Sequence, residues 1–129
     1  MSESVTPQGW GRARGYSHAI KAQGSYLAIS GQIGWNEHEK FVSDGFLLQA
    51  RQALENIISI LASAGGNPKQ IARLTWYITD PVEYRNSAAE LGAIYRELFK
   101  DHYPAMTLIV VAGLLEPRAR VEIEATAIL

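Results

Sequence analysis

The stretch YPAMTLIVVAGLL, Tyr103 to Leu115, places the hardest condition on any fold of this chain. In extended backbone, Met106, Leu108, Val110 and Ala112 project to one side and Thr107, Ile109 and Val111 to the other. Nearly every position on both sides is apolar, so the strand needs cover on both faces. The chain has 129 residues, 47% of them hydrophobic, which is enough for one core and no more.

The element pattern shows how much cover is available. Residues 1–15 are rich in Gly, Ser, Pro and Arg and read as an irregular N-terminal arm, leaving 16–129 as a single domain. Tyr16–Lys21 and Ser25–Ile33 read as strands, the second entered through the turn signal Gln23-Gly24. Leu47, Ala50, Leu54, Ile57, Ile58 and Leu61 form one helical stripe, closed by Gly65-Gly66. Ile71–Thr79 is rich in β-branched and aromatic residues and predicts a strand. Asp80-Pro81-Val82-Glu83 carries an N-cap acid, a proline at the first helical position and a glutamate at the third, which predicts a second helix running to His102. Met106–Leu114 and Ala119–Ile128 close the chain as strands. The order β-β-α-β-α-β-β predicts an α+β sandwich with two helices on one sheet face.

Two helices cannot cover both faces. Leaving Met106, Leu108 and Val110 in water on the open side forgoes several kcal/mol at about 25 cal/mol per Å² of apolar surface. A second copy of the chain on that face predicts a homo-oligomer. The alternative is a central strand capped by the N-terminal arm.

Composition narrows the chemistry. A net charge of −1 gives no general attraction to nucleic acid or to anionic membrane. No apolar run reaches the roughly 20 residues of a membrane span, and MSESVTPQGWGRARG has no hydrophobic signal core, which predicts a cytoplasmic protein. Cysteine is absent, which removes disulfides, thiol nucleophiles and cysteine-ligated metals. His18, His38 and His102 have no metal-ligand spacing, and no phosphate-cradling glycine loop or dinucleotide fingerprint is present, so no metal or cofactor is expected.

The last strand, RVEIEATAIL, holds the candidate chemistry. Alternation turns Val121, Ile123, Ala125 and Ala127 toward the helices and Arg120, Glu122, Glu124 and Thr126 toward the open face. Carboxylates buried there are costly unless paired, and burial moves a carboxyl toward the range useful for proton transfer. Pairing with Arg118 or Arg120, or an exposed edge, is the structural alternative. Gly31 in ISGQIG marks a bulge or a close backbone approach. Trp35, in the loop after it, is a candidate pocket wall.

RGYSHA (14–19), ISGQIG (29–34), QARQALENI (49–57), YITD (77–80), YPAM (103–106) and VEIEATA (121–127) together resemble the Rid family, the YjgF-like enamine/imine deaminases, from about Arg14 to the C-terminus. The resemblance implies a chorismate-mutase-like fold and a homotrimer with clefts between neighbouring subunits. It implies hydrolysis of reactive enamines and imines to carbonyl products and ammonia, with no cofactor, on a small-molecule substrate. The family's clamp arginine, which holds a substrate carboxylate, aligns with Met106. The acid that positions the attacking water aligns with Glu122, an aromatic ligand contact with Tyr16, and backbone ligand contacts with Gly31 and Leu108. The expected activity is therefore deamination of an enamine or imine other than a small free amino-acid-derived one, with Glu122 catalytic, Tyr16, Gly31, Trp35, Met106 and Leu108 lining the cleft, and Arg120 as a displaced cation. The alternative function is a non-catalytic, small-molecule-binding trimer. A chorismate-mutase-like reaction needs several cations for a dicarboxylate, which Met106 does not supply.

Overall fold

A computed structural model describes residues 2–129. The elements are β1 (Ser2–Val5), β2 (Ala19–Ala22), β3 (Tyr26–Gln32), α1 (Phe46–Ser63), β4 (Ile71–Ile78), α2 (Pro81–Asn86), α3 (Ala88–Phe99), β5 (Ala105–Val110) and β6 (Val121–Ile128). A short 3₁₀ turn, Pro68–Gln70, leads into β4. The main sheet has the order β3-β6-β4-β5, antiparallel except for the parallel pair β4–β5, whose crossover is α2 and α3. The α+β sandwich with its helices on one sheet face is the architecture the element pattern predicts.

The core lies between that sheet and the helices. Ala50, Ala53, Leu54, Ile57 and Leu61 of α1 are fully buried with Leu74 and Ile78 of β4 and Val121, Ile123 and Ala127 of β6. Alternation in β6 is thus read correctly. Gln49 sits among these apolar groups with no exposure, with both amide N–H groups and the amide oxygen hydrogen-bonded. Its amide nitrogen donates to the Ser43 and Arg118 carbonyls at 3.0 and 3.1 Å, and its oxygen accepts from the Arg120 N–H at 2.9 Å. A Cβ at Gly34 would lie 2.6 Å from the Gln49 Cα, so only glycine lets the β3–α1 loop pass this close to the helix.

Three expectations change. The arm is not wholly irregular: Ser2–Val5 pairs antiparallel with Ala19–Ala22 as a separate two-stranded sheet. Its residues SESV carry too little apolar pattern to announce a strand. The second helix is two helices. Asp80 caps the first as predicted, accepting from the N–H groups of Val82 and Glu83 at 2.9 and 3.2 Å. At Ser87 the backbone turns, and one N–H is shared between the Glu83 and Tyr84 carbonyls at 3.1 Å each.

The third change reverses β5. Parallel pairing with β4 sets Met106 beside Leu74, Leu108 beside Trp76 and Val110 beside Ile78, all core positions. Met106, Leu108 and Val110 therefore lie on the helix side, and Thr107 and Ile109 on the open side. A strand apolar on both faces does not declare which face turns inward. Neither face is fully covered, however: Val110 is 52% exposed and Ile109 40%.

Candidate functional site

Glu122 stands on the open sheet face, opposite Tyr77 in the β4–β6 register, with Glu124 opposite Thr75. On the other flank of β6, β3 is bulged between Ile29 and Gln32, as the glycine in ISGQIG predicts. Gly31 lies in that bulge, and the Glu122 side chain rests against it. A Cβ at position 31 would fall 2.8 Å from the Glu122 Cδ and 2.9 Å from its Cγ. Glycine is therefore what leaves room for this carboxylate.

The two glutamates have different partners. The Tyr77 hydroxyl donates to Glu124 Oε2 at 3.0 Å. That bond, reinforced by burial and by the charges of Glu124 and Glu122, pushes the Tyr77 pKa up. Among the described residues Glu122 has no ion-pair partner, and it is half-buried. A carboxylate with open lone pairs on a sheet face suits the holding or deprotonation of a water molecule.

Arg120 is not beside it. The residue precedes β6, so strand alternation does not extend to it. Its guanidinium donates to Glu83 Oε1 at 3.0 Å and to the Asp44 carbonyl at 2.6 Å. Arg118 is equally committed, to the Asp44 carboxylate at 2.6 Å and over the Phe41 ring at 4.8 Å. The bond from Arg118 holds the Asp44 carboxyl below its ordinary pKa. Arg120 as a displaced cation for the substrate is corrected to a strut between the loop at Asp44 and α2.

Met106 and Tyr16 meet in a cleft of about 320 Å³ between α3 and the β4–β5 edge, on the helix side. Trp76, Tyr84, Tyr95 and Tyr103 make its walls aromatic, and the exposed Arg14 and Arg96 also line it. Leu108, half-buried against the core, is the next helix-side position on β5. A larger cavity, about 890 Å³, adjoins the cleft under the N-terminal arm and shares Arg14, Gly15, Tyr16 and Tyr103 with it. The arm thus folds toward the cleft of its own chain. Ser17 fixes this approach through its N–H, 3.0 Å from the Pro104 carbonyl, and a hydroxyl bond to the Tyr103 carbonyl.

Trp35 lines a separate shallow pocket of about 290 Å³ with Gln32 and Asn56, and the Asn56 amide fixes its carbonyl at 2.8 Å. Within one chain the predicted site residues therefore form separate groups: Gly31 with Glu122 on the open face, Tyr16 with Met106 on the helix face, and Trp35 apart. Trp76 and Tyr95 are cleft residues that sequence reasoning missed, because each also continues a regular core pattern. The histidines are structural or solvated: His18 Nε2 lies 3.2 Å from the Gly11 carbonyl, His102 Nε2 2.7 Å from the Ile71 carbonyl, and His38 is exposed. Among the described residues no group of three His, Cys, Asp or Glu side chains is arranged for a metal, and no helix is long and apolar enough to cross a membrane.

Comparison with known proteins places these features in a family. The family described as Endoribonuclease L-PSP matches residues 9–129. A RutC family protein of Aquifex aeolicus is 37% identical over 130 residues, covering 99% of each chain. A human 2-iminobutanoate/2-iminopropanoate deaminase is 34% identical over 114 residues, 88% of this chain and 79% of that one. Among solved structures, the Rid-family protein YyfB from Yersinia pestis, of unknown function, superposes with a TM-score of 0.84 at 31% identity, over 99% of this chain and 98% of its own. A match from residue 9 to the C-terminus, the relatives' identity and the shared α+β sandwich make this chain a member of the Endoribonuclease L-PSP, or Rid/YjgF, family.

Proposed function

We propose that this protein hydrolyses a reactive enamine or imine to a carbonyl compound and ammonia, in a cleft that two copies of the chain build together within a homotrimer. The carrying observation is the unpaired Glu122 carboxylate seated against Gly31. An enamine takes a proton on carbon to become an iminium ion. Glu122 orients a water molecule and accepts one of its protons as the oxygen bonds to the iminium carbon. Glu122 then returns that proton to the carbinolamine nitrogen, and the ammonium so formed leaves as ammonia while the hydroxyl proton departs, leaving the C=O bond and an ionised Glu122. The iminium carbon is already electrophilic, so Glu122 and a shaped cavity suffice.

Two features support a cleft between copies. Glu122 and Met106 lie on opposite faces of one sheet, and β5 leaves apolar surface open on both of its sides. Met106 offers no hydrogen bond to a carboxylate beside the reacting carbon, and Arg120 is engaged by Glu83 and Asp44. Arg14 and Arg96 also line the Met106 cleft, but both are exposed and hydrated, so the substrate class read here is an enamine or imine whose reacting carbon carries no free carboxylate. The net charge of −1 supplies little attraction for an RNA backbone.

The test offers cyclic and acyclic enamines to the wild type and to Glu122→Ala and follows ammonia release. Loss of turnover in the variant, with cyclic substrates preferred, is expected; equal rates reject the role of Glu122. The second reading, a non-catalytic binding trimer, is favoured by one observation, the methionine at position 106. It requires saturable binding with no ammonia released from any of the enamines.

A further inference from the structure

Glu122 has a hydrogen-bond donor beside it that it does not use. On the open sheet face β4 sets Tyr77 directly across from Glu122, a position at which side chains of neighbouring strands meet, while Glu124 stands opposite Thr75, one diagonal step away. The phenol nonetheless takes the diagonal partner and donates to Glu124 Oε2 at 3.0 Å. Both carboxylates act on it: the bond to Glu124, then burial, then the charges of Glu124 and Glu122 push the Tyr77 pKa up, so the hydroxyl keeps its proton and remains a donor at physiological pH. On the other flank of Glu122, Gly31 brings no side chain at all. The Glu122 carboxylate is open because its neighbour two residues along the strand holds the donor that β4 places opposite it.

We infer that Glu124 is a positioning residue for the proposed reaction: by holding the Tyr77 hydroxyl it keeps the phenol off Glu122 and leaves that carboxylate free to take a water molecule and its proton. A phenol bonded to Glu122 has two effects. It occupies a lone pair that the water needs, and it favours the ionised carboxylate, which makes Glu122 a weaker base. Glu124 prevents both without touching the water or the substrate. The other titratable groups on this face stand farther along the strands: Arg73 of β4, opposite Thr126, and Tyr26 of β3, opposite Ile128. In its kinetic consequence the inference rests on the deaminase reading, whereas the competition of two carboxylates for one phenol exists without turnover.

Three variants of the full chain test it, with ammonia release from the cyclic and acyclic enamines as the first readout. Glu124→Ala frees the phenol, Glu124→Gln keeps an oxygen to accept from it, and Tyr77→Phe/Glu124→Ala removes the phenol as well. Glu124→Ala is expected to lower kcat about tenfold with little change in KM, the scale of one hydrogen bond to a charged group. Glu124→Gln is expected to keep most of the rate, and the double variant to regain what Glu124→Ala loses. A pair that merely braces the sheet gives the opposite order, since removing its second member restores nothing. Wild-type kcat in Glu124→Ala, or a double variant no faster than Glu124→Ala, overturns the inference. The second readout needs no substrate: the carboxyl carbon resonance of Glu122, identified by its loss in Glu122→Gln, is titrated by NMR. Its midpoint is expected about one pH unit lower in Glu124→Ala than in the double variant, because only the former has a phenol free to bond to it. Equal midpoints overturn the inference whatever the turnover. The expected midpoints with no ammonia released by the wild type leave the competition for the phenol standing and remove the deaminase reading.

Discussion

Gly31 is where the smallest change in composition has the largest consequence for the proposed chemistry. A methyl group there meets the flexible end of Glu122, and the carboxylate is what has to move. Gly31→Ala is expected to keep the melting temperature within a few degrees of wild type while reducing kcat about 100-fold, the scale of loss for a reacting group misplaced by about an ångström. Equal kcat in the variant would show that the position of Glu122 is immaterial. Its neighbour Tyr77 yields a pH prediction. The folded-state pKa of Tyr77 is raised above 10.0, so the protonated hydroxyl contributes stability that is fully present below pH 10.0 and is lost as pH rises through the folded value. Tyr77→Phe is expected to flatten that alkaline decline, which denaturant titrations at a series of pH values above 10 measure. At this scale the sequence was informative about residues whose role follows from backbone geometry. The glycine bulge and the outward face of Glu122 were both legible. The fate of Arg120 was not, because one residue outside β6 the alternation rule no longer applies and Glu83, 37 positions away in the chain, captures the guanidinium.

Among the elements, α1 and the loops around it depend on Gln49. Gln49→Leu keeps the volume of the core but strands the Ser43 and Arg118 carbonyls and the Arg120 N–H. A loss of about 2–4 kcal/mol in unfolding free energy is expected, from desolvated groups costing roughly 1–3 kcal/mol each with partial relaxation. A denaturant midpoint unchanged from wild type would contradict it. Helix α1 itself was legible from its stripe, but Gln49 is not one of the apolar residues that define it; only its place among Phe46, Ala50 and Ala53 reveals that it is buried. The cap at Asp80 was legible because it is local chemistry. The break at Ser87 was not, since no Gly or Pro marks it. The two faces of β5 were exchanged for a different reason: with apolar residues at both parities, only pairing with β4 decides which side is inner, and pairing is not written in a single strand.

At the level of the whole molecule, the condition set by YPAMTLIVVAGLL is only half met by one chain. Helices α1 and α3 cover the centre of the sheet and stop short of β5, where Val110 and Ile109 remain in contact with solvent on opposite faces. The two predicted halves of the site also lie on opposite faces, Glu122 with Gly31 on one and Met106 with Tyr16 on the other. A trimer accounts for both facts, and sedimentation of the purified protein is expected to report three 14.2 kDa chains. Two variants then separate a shared site from a private one: Glu122→Ala removes the acid proposed to hold the water, and Met106→Glu places a charge in the aromatic cleft. Each should form an inactive oligomer of wild-type size. The decisive measurement is ammonia release by oligomers refolded from a mixture of the two. Activity that reappears in the mixture is expected, because some clefts then pair an intact Glu122 from one copy with an intact Met106 from another. Mixed oligomers as inactive as their parents would contradict a site built between copies.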